Sequence, residues 1–574
     1  MSKNIQLVGK AAVTNPSGAG NTGRVADVTA FGNYAYLTAF REPTCERTGV
    51  HVMDLTNPAK PFEVTSAFIP TSDGSYAGEG IQVEHIENAY FHGDLLAHQN
   101  ETCPGATPPA PNVGGISLWD VSDPRHPKPV SLHTGDFTAP DGSAEASPNQ
   151  THSMRMWTNN FDKKTYVALI DDEELTDVDI MDITDPYHPV MVNDELDLVA
   201  LFGVDQATPT NLTSIFSHDM MITKIGQRYV MNVNYWDGGY VLLDVTDPRP
   251  GKVSLIAESD YAALDEERLA RGQQISPEGN AHQSELSPNR KFMLGTDEDF
   301  NPYRVTAKID SGPYAGTEYV ATQADSVTQI DENTTISGPV IPVGDACDPA
   351  TIPAGTGTAL VERGTCAFQV KLDNIVAKGY TAGIVFQNVR ADCLDQVTML
   401  ATGTIPFVFV NRVTGLKLLG VPGVTDADAC TMATPAAVSP ASTTIKAVFD
   451  GWGYVRLFRT SIPNQLGKTG SITQVDTYSI PEAQDPAYAR GFGDLSVHEV
   501  AMDPDNNNIA YISYYAGGFR VVDYGTDGIH EVGAFIDQGG NNFWGVEVWR
   551  DRRNHKYVLA SDRDFGLYVF RYNG

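Results

Sequence analysis

The chain is 574 residues long, with 41% hydrophobic and 19% charged residues. This length exceeds one ordinary core of roughly 100–200 residues unless the core is built from repeats. The 72 acidic residues against 39 basic ones give a formal net charge of −33, and such a surface repels nucleic acids and anionic membranes. Neither is expected as a partner, and the lack of a run of about 18 apolar residues argues against a membrane-spanning helix.

One phrase recurs along the first half of the chain. It occurs as GVHVMDLTNPAKP from Gly49, GISLWDVSDPRHP from Gly115, VDIMDITDPYHP from Val178 and YVLLDVTDPRP from Tyr240. Each copy alternates apolar residues with a period of two, which predicts a β-strand, and then turns at a proline, which cannot donate to a sheet. Weaker copies lie near Tyr454, near Val522 and at the C-terminus, so the chain has seven units.

The seven units predict a β-propeller. Upstream of each phrase lies a further strand pair, and units of three or four strands that cannot close alone stack radially into a ring. The last unit stops after its third strand, and we expect NIQLVGKAAV at the N-terminus to supply the missing outer strand, which hides the sheet edges. The predicted fold is mainly β, with residues 1–302 and 448–574 forming a seven-bladed propeller.

The repeated phrase resembles that of the LVIVD-repeat proteins of bacteria and archaea, which are surface or secreted proteins. The resemblance covers most of the chain. It implies the propeller fold and an extracellular or surface location. It implies no activity, because that family has no single known function.

The spacing of the units breaks between Arg304 and Lys446, where about 145 extra residues, assigned to 303–447, follow another pattern. ALVERGTCAFQVKLDNIVAKGYTAGIVFQN predicts a strand, a Gly-Cys turn, an amphipathic helix and a buried strand, which together make a small α/β unit. This stretch resembles the protease-associated (PA) domain, whose RGxCxFxxK and AGxxxxN phrases match at 363–371 and 382–388. The resemblance implies a non-catalytic lid or protein-binding module, and the chain has neither the HExxH nor the GxSxG motif of a protease.

Six cysteines lie in predicted loops and suggest the pairs Cys45–Cys103, Cys347–Cys366 and Cys393–Cys430. An even number in loops predicts disulfides and an oxidising compartment. None has a CxxC or Cys/His zinc spacing, so a thiolate metal site is not expected. The N-terminus MSKNIQLVGK has no apolar signal region. We expect a secreted, cell-surface or periplasmic protein whose signal has been removed, with a cytoplasmic location as the alternative.

Four units place a histidine at the start of their first strand, which lines the central channel of a propeller. They are His152 in THSM, His218 in SHDM, His282 in AHQS and His498 in VHEV. The spacings are 66, 64 and 216 residues, and the last returns to about 70 without the insert. Converging neutral imidazoles backed by carboxylates make a transition-metal site, so we predict Fe, Mn, Cu or Zn, with Ca²⁺ as a further candidate. The alternative is that the histidines only cap the channel through hydrogen bonds.

The other three units are expected to place acids or a further histidine near the same level. We assign Asp27, Glu84 with His85, and Glu547 to these places, and count His85 and Glu547 among the predicted metal ligands. The residues that follow three of the histidines are expected to hold the imidazole tautomers. They are Asp219, Gln283 and Glu499.

The loops after the second strands are expected on the same face as the histidines. They pair acids with aromatic residues, which is typical of carbohydrate or polyol sites, although solubility explains the acids equally well. The candidates are Arg41, Asp171, Asp172, Glu173, Tyr235, Trp236, Asp297, Asp299, Tyr514, Tyr515, Asp562 and Arg563. The insert leaves from one of these loops, so we expect it to overhang the channel and to gate access or bind a partner.

Two functions remain open from the sequence. The first is a secreted metal-dependent enzyme, a lyase, hydrolase or oxygenase, that acts on a small molecule or a glycan-like polymer, with Glu499, Tyr514 and Arg563 as its catalytic residues. The second is a non-catalytic binding or adhesion module that recognises protein or glycan through the propeller face and the PA domain. Metal content distinguishes the two.

Overall fold

The computed structural model describes the chain except for residues 15–22, 41–44, 46, 104–113, 136–149, 172–177, 207–208, 210, 213, 325, 392, 398 and 437. The described residues form two compact units: Met1–Phe300 with Trp452–Gly574, and Asn301–Gly451. None of the helices in this part of the chain is long and apolar enough to span a membrane.

The first unit consists of seven antiparallel sheets, called blades 1 to 7 in chain order. Blade 1 contains Val25–Phe31, Tyr34–Ala39, Gly49–Asp54 and, both paired with that third strand, Phe62–Glu63 and Ile69–Pro70. Blade 2 contains Ile81–Glu87, His92–Gln99, Ile116–Asp120 and Lys128–Thr134. Blade 3 contains Thr151–Asn159, Lys164–Asp171, Val178–Asp182 and Val190–Leu196. A separate two-stranded ladder pairs Ser75–Tyr76 with Glu101–Thr102.

Blades 4 to 7 follow the same plan. Blade 4 contains Asp219–Ile225, Arg228–Asn234, Tyr240–Asp244 and Ser254–Ser259, and blade 5 contains Ala281–Leu286, Phe292–Asp297, Val455–Ser461 and Ser471–Tyr478. Blade 6 contains Val500–Met502, Ile509–Tyr514, Gly518–Gly525 and Gly528–Phe535, and blade 7 contains Phe543–Arg550, Lys556–Asp562 and Gly566–Tyr572. Short helices lie between strands, at Thr65–Ala67, Leu198–Phe202, Glu266–Ala270, Pro481–Gln484 and Pro486–Tyr488.

The N-terminus completes blade 7, as predicted, and also extends blade 6. Ile5–Ala12 pairs antiparallel with Gly566–Tyr572 and forms the outer strand of blade 7, and Ser2–Lys3 extends blade 6. The first strand of each blade contacts that of the next, and Phe543–Arg550 contacts Val25–Phe31. The seven blades therefore form a closed ring, and the predicted seven-bladed propeller is confirmed.

The aspartate of the repeated phrase makes the turn after the third strand. Asp54 Oδ1 accepts a hydrogen bond from the backbone N–H of Thr56 at 2.8 Å, and Asp182 Oδ1 accepts one from Thr184 at 2.9 Å. Aspartate favours such turns because its carboxylate bonds the backbone two residues on. In two other copies the hydroxyls of Ser122 and Thr246 also donate to Asp120 and Asp244, at 2.6 Å each, which favours Ser or Thr two residues after the aspartate.

The hydrophobic core lies between neighbouring blades. Trp157 and Ile180 of blade 3 pack with Met231 and Leu243 of blade 4, for example. Burial of each such side chain contributes about 1.5–3 kcal/mol. The blades are held together by these apolar faces, so the innermost strands are free to carry polar groups.

The second unit is the predicted α/β insert. Its mixed sheet contains, in spatial order, Glu318–Tyr319, Tyr303–Ile309, Ser442–Phe449, Thr335–Pro342, Thr358–Glu362, Ala382–Phe386, Phe407–Val410 and Thr322–Gln323. Its helices are Phe368–Ala377, Arg412–Leu418 and Asp426–Ala429. The predicted strand, turn, helix and strand are confirmed.

The lysine of the RGxCxFxxK phrase has a structural role. Lys371 is buried, and its Nζ donates to the backbone oxygens of Asp345 at 2.5 Å and Glu362 at 3.3 Å. All three predicted cysteine pairs form disulfides, Cys45–Cys103, Cys347–Cys366 and Cys393–Cys430. The insert thus carries two of the three covalent links.

Candidate metal centre

A recurring hydrogen bond between neighbouring first strands shows which residues of the blades are equivalent. The backbone N–H of Val500 donates to Gln283 Oε1 at 3.0 Å. The backbone N–H of Val546 donates to Glu499 Oε2 at 2.9 Å, and that of Ile81 donates to Asp27 Oδ2 at 3.2 Å. In all three bonds the donor lies two residues after the same position of its own blade. The acceptor lies one residue after the corresponding position of the preceding blade.

We call this common place the axial position. In blade order it holds Ala26, Glu79, His152, His218, His282, His498 and Trp544. A second bond, further along the same strands, agrees with this alignment: the N–H of Met156 donates to Gln82 Oε1 and that of Met502 to Glu285 Oε2, both at 2.7 Å. Glu79 therefore shares one position with the four histidines.

The four imidazoles lie side by side. Consecutive ring centroids from His152 through His218 and His282 to His498 are 4.4, 4.3 and 4.2 Å apart. The Nε2 atoms of His152 and His218 are 3.0 Å apart. His282 and His498 are almost fully buried, whereas the side chain of His152 is 21% exposed, so the cluster is open to solvent on the side of blade 3.

Glu79 completes this cluster from blade 2. Its Oε2 lies 3.5 Å from Nε2 of His282, 3.6 Å from Nε2 of His498 and 3.8 Å from Nε2 of His152. The side chain is buried, and its Oε1 has no hydrogen-bond partner among the described residues. Because an unpaired buried carboxylate oxygen is costly, this arrangement fits a group that binds a cation.

Glu298 supplies a second carboxylate. Its Oε2 lies 3.4 Å from Nε2 of His282, and its Oε1 lies 3.8 Å from Nε2 of His498. The hydroxyl of Tyr515 donates a hydrogen bond to Oε1 and so fixes the carboxylate beside the histidines. The ring of Tyr515 also lies 5.3 Å from that of His498.

Glu298 belongs to a second set of equivalent residues, which follow the second strand of each blade and which we call the rim position. The backbone oxygens of two such residues accept from the next blade, from Ala281 N–H to Trp236 at 3.0 Å and from Phe543 N–H to Tyr515 at 3.2 Å. Glu298 corresponds to them because it directly follows the second strand Phe292–Asp297, as Tyr515 follows Ile509–Tyr514. In the described blades the rim position holds Phe40, Asn100, Trp236, Glu298, Tyr515 and Arg563. The rim of blade 3 lies outside the described residues.

The charges of the cluster favour a bound cation. Burial and the neighbouring charge of His282 keep the pKa values of His218 and His498 well below the usual range, so both imidazoles are neutral and have a free lone pair. Burial alone lowers the pKa of His282, but the carboxylates of Glu79 and Glu298 outweigh it and raise that pKa to about 9. Burial opposes ionisation of Glu79, yet His282 and His152 hold its pKa below the usual value. The cluster thus combines two neutral imidazoles with two carboxylates that face His282.

The donor atoms lie close enough together to hold a metal ion. Three overlapping groups have their ligand atoms within 4.8 Å of one another: Glu79 with His282 and His498, Glu79 with His152 and His218, and Glu298 with His218 and His282. Four to six ligands at about 2.0–2.2 Å from one metal ion lie roughly 3.0–3.5 Å from each other, close to the distances given above. A set of imidazoles and carboxylates suits Fe, Mn, Cu or Zn, whereas Ca²⁺ requires oxygen ligands.

Two predicted metal ligands lie elsewhere. His85 is six residues beyond the axial position of blade 2, and its half-exposed ring contacts Asp94 at 2.6 Å and Glu87 at 3.2 Å. Glu547 lies three residues beyond Trp544, where its Oε2 accepts from the backbone N–H of Ala30 at 2.9 Å. Blades 2 and 7 have no axial histidine, so the sequence offers no marker for their register.

Of the three predicted catalytic residues, one lies beside an axial histidine, one lies at the rim and one lies outside the cluster. Glu499 Oε1 lies 3.6 Å from Nδ1 of His498, and burial together with Asp27 raises its pKa well above the usual value. The guanidinium of Arg563 lies over the ring of Trp544 at the rim, 4.9 Å from its centroid. Tyr514 is not in the cluster, because its buried hydroxyl donates to the backbone oxygen of Gly453 at 2.9 Å.

Some of the other candidate residues in the loops contact the histidines, and others do not. Trp236 and Tyr515 contact the histidines, whereas Asp297 pairs with Arg456 at 2.6 Å. Arg41, Asp172 and Glu173 lie outside the described residues, and nothing is described for the side chain of Asp171.

Neither carboxylate of the cluster, Glu79 or Glu298, is among the residues predicted from the sequence. Glu79 lies 73 residues before His152, close to the 66 and 64 residues that separate the next two histidines, so the repeat spacing contained a signal. Glu298 lies in the TDEDFN loop, of which only the neighbouring Asp297 and Asp299 are predicted site residues. Its equivalence to Trp236 and Tyr515 follows from the pairing of the first and second strands within each blade.

Comparison with known families confirms the insert. The family model described as "PA domain" matches residues 336–418, within the second unit. No curated protein matches this chain.

Comparison with solved structures yields only distant likeness. A zinc aminopeptidase from Bacillus subtilis is 17% identical over 30% of this chain and 37% of its own, with a TM-score of 0.20. A putative exo-β-1,3-galactanase from Bifidobacterium bifidum is 13% identical over 51% and 88%, with a TM-score of 0.26. The β-propeller domain of Cps50 (Swd1) from Myceliophteria thermophila is 8% identical over 97% and 98%, with a TM-score of 0.39. This chain spans little more than a third of the aminopeptidase.

Proposed function

We propose that this protein is a metal-dependent enzyme whose metal ion is bound by the four axial histidines with Glu79 and Glu298. One observation carries the proposal: a buried carboxylate oxygen of Glu79 lies within 3.5–3.8 Å of three imidazole nitrogens on three different blades. Hydrogen bonding alone does not account for this arrangement, since these separations exceed ordinary N–H···O distances.

A metal in this site would act as a Lewis acid towards a bound oxygen, with Fe, Mn, Cu or Zn as the candidates. His218 and His498 are neutral ligands, and Glu79 and Glu298 balance the charge of the ion. Tyr515 holds Glu298 in place through its hydroxyl. The solvent-exposed edge of His152 marks the side from which a substrate reaches the site.

Glu499 and Arg563 have proposed roles in proton transfer and binding, and Tyr515 replaces Tyr514 among the proposed site residues. Glu499 lies beside His498, and burial raises its pKa well above the usual value, which favours the protonated form that a general acid requires. Arg563 at the rim provides a cation for an anionic substrate. Tyr515 takes the place that the sequence analysis gives to Tyr514, because only Tyr515 contacts the cluster.

The wider setting supports an extracellular enzyme. Three disulfides are typical of an oxidising compartment. The repeated phrase supports placing the propeller among the LVIVD-repeat proteins. The PA domain favours a second candidate function, a binding module for a protein or glycan in which any metal is structural.

Elemental analysis by mass spectrometry tests the proposal. The wild-type protein is compared with His218→Ala/His498→Ala and with the matched control His126→Ala/His188→Ala, whose imidazoles are 78% and 82% exposed on turns. We expect near-stoichiometric Fe, Mn, Cu or Zn in the wild type and the control, and a loss of at least about tenfold in the axial variant. Circular dichroism verifies that all three proteins are folded.

Absence of a transition metal after reconstitution would reject the metalloenzyme. Bound metal without turnover in a substrate screen would favour the binding module.

A further inference from the structure

Two ladders of aromatic rings lead from the protein surface to the axial histidines. In the first, the ring of Phe216 stacks on Trp236 with centroids 5.3 Å apart and planes at 21°. Trp236 in turn lies 5.0 Å from the ring of His218 and 6.5 Å from that of His282. The outer ring, Phe216, is 41% exposed.

The second ladder is built the same way in blade 6. Phe300 lies 5.4 Å from Tyr515, and Tyr515 lies 5.3 Å from His498. Phe300 is 50% exposed. Each ladder therefore ends at an axial histidine and begins at a solvent-exposed phenyl ring.

The inner members of the ladders occupy equivalent places. Trp236 and Tyr515 are both rim residues, and both have a left-handed backbone, with φ of 38° and 32°. Large aromatic residues rarely adopt this conformation, because it is strained for a residue with a side chain. The fold thus holds two aromatic rings against the histidines at some cost in stability.

We infer that the substrate is a small molecule with a planar aromatic ring and an oxygen donor attached to it, such as a phenol or catechol. Its ring would contact the ladders of Phe216 and Phe300, and its oxygen would reach the metal. The binding of the oxygen rests on the proposed metal site. The binding of the ring rests only on the two ladders.

The chemistry of the ladders favours an aromatic ring over a sugar. A sugar stacks on an aromatic face but also needs hydrogen-bond partners around its edge. The outer rings here are phenylalanines, which have no polar atom, and the hydroxyl of Tyr515 is already donated to Glu298. The guanidinium of Arg563, 5.3 Å from the ring of Phe40 and 4.9 Å from that of Trp544, adds a cation that suits a phenolate oxygen.

Calorimetric titration with 4-nitrocatechol tests the inference on the metal-loaded protein. We compare the wild type with Phe216→Ala/Phe300→Ala and with the control Phe161→Ala, whose ring is also 51% exposed and lies 6.0 Å from Tyr229. We expect about a tenfold weaker affinity in the double variant, from the loss of two ring contacts, and no change in the control. Metal content should be equal in all three.

Titration of the metal-free protein with 4-nitrophenol separates this inference from the proposed function. A loss of affinity in the double variant supports the aromatic site even if the protein takes up no metal. Equal affinity of the wild type and the double variant for both probes, or tighter binding of galacturonate than of 4-nitrocatechol, would overturn the inference.

Discussion

The Oε2 atom of Glu79 lies 3.5 Å from the Nε2 atom of His282, although the two residues are 203 positions apart in the sequence and belong to blades 2 and 5. The contact forms because both residues occupy the axial position, where the first strands of all blades meet. A carboxylate at a position that holds an imidazole in four other blades adds the negative charge that a bound dication would need.

Glu79→Gln should weaken metal binding by about 10–100-fold, because the amide keeps the shape of the side chain but removes its charge. Competition with a chromogenic chelator measures the affinity. The control is Glu84→Gln, five residues further along, where the carboxylate contacts Gln82 and Thr158 rather than the histidines. Equal affinities in the two variants would mean that Glu79 is not a ligand.

Tyr515→Phe should alter the cluster, whereas Tyr514→Phe should not. The first change removes the hydrogen bond to Glu298 and frees that carboxylate, so we expect weaker metal binding and, once a substrate is known, a lower kcat. The second removes only the bond to the backbone oxygen of Gly453 and should cost about 1 kcal/mol of stability. Metal titration and urea unfolding of both variants give the comparison, and a reversed pattern would contradict the assignment.

Glu547→Gln should stabilise the protein at alkaline pH. Burial raises the pKa of Glu547 to about 8, above its unfolded value near 4.5, so the native state favours the protonated form. Its contribution to stability is complete below pH 4.5 and is lost as the pH rises towards 8. The variant should therefore gain roughly 3–4 kcal/mol over the wild type as the pH rises from 5 to 8, since each pH unit in which only the unfolded carboxyl group ionises costs about 1.4 kcal/mol.

Urea unfolding at both pH values measures this difference. The exposed carboxylate of Glu318 provides the control, since Glu318→Gln should change neither value. A gain that is independent of pH would show that titration of Glu547 is not its cause.

Deletion of residues 1–12 should open the propeller at blade 7. The strand Gly566–Tyr572 would lose its partner Ile5–Ala12 and present an unpaired edge, which promotes association between chains. We expect a lower melting temperature and larger species in size-exclusion chromatography. A monomeric variant with unchanged stability would show that this strand does not close the ring.

The sequence by itself determined the seven blades, the N-terminal outer strand, the three disulfides and the α/β insert. These features follow from local chemistry: period-2 alternation, an aspartate that makes its own turn, and phrases that stay within one stretch of chain. It also identified four histidines of the cluster, because His152, His218, His282 and His498 begin their strands at a regular spacing.

Only the tertiary structure decided which carboxylates join them. Glu79 rather than His85 is axial because the hydrogen bond from Ile81 to Asp27 fixes the register of blade 2, and Glu298 joins from the rim. Likewise Tyr515 contacts the cluster and Tyr514 does not, since one residue of register moves a side chain to the other face of a strand. Alternation in the sequence shows which residues form a strand. It does not show the register of that strand along the propeller axis, because the register depends on contacts between blades.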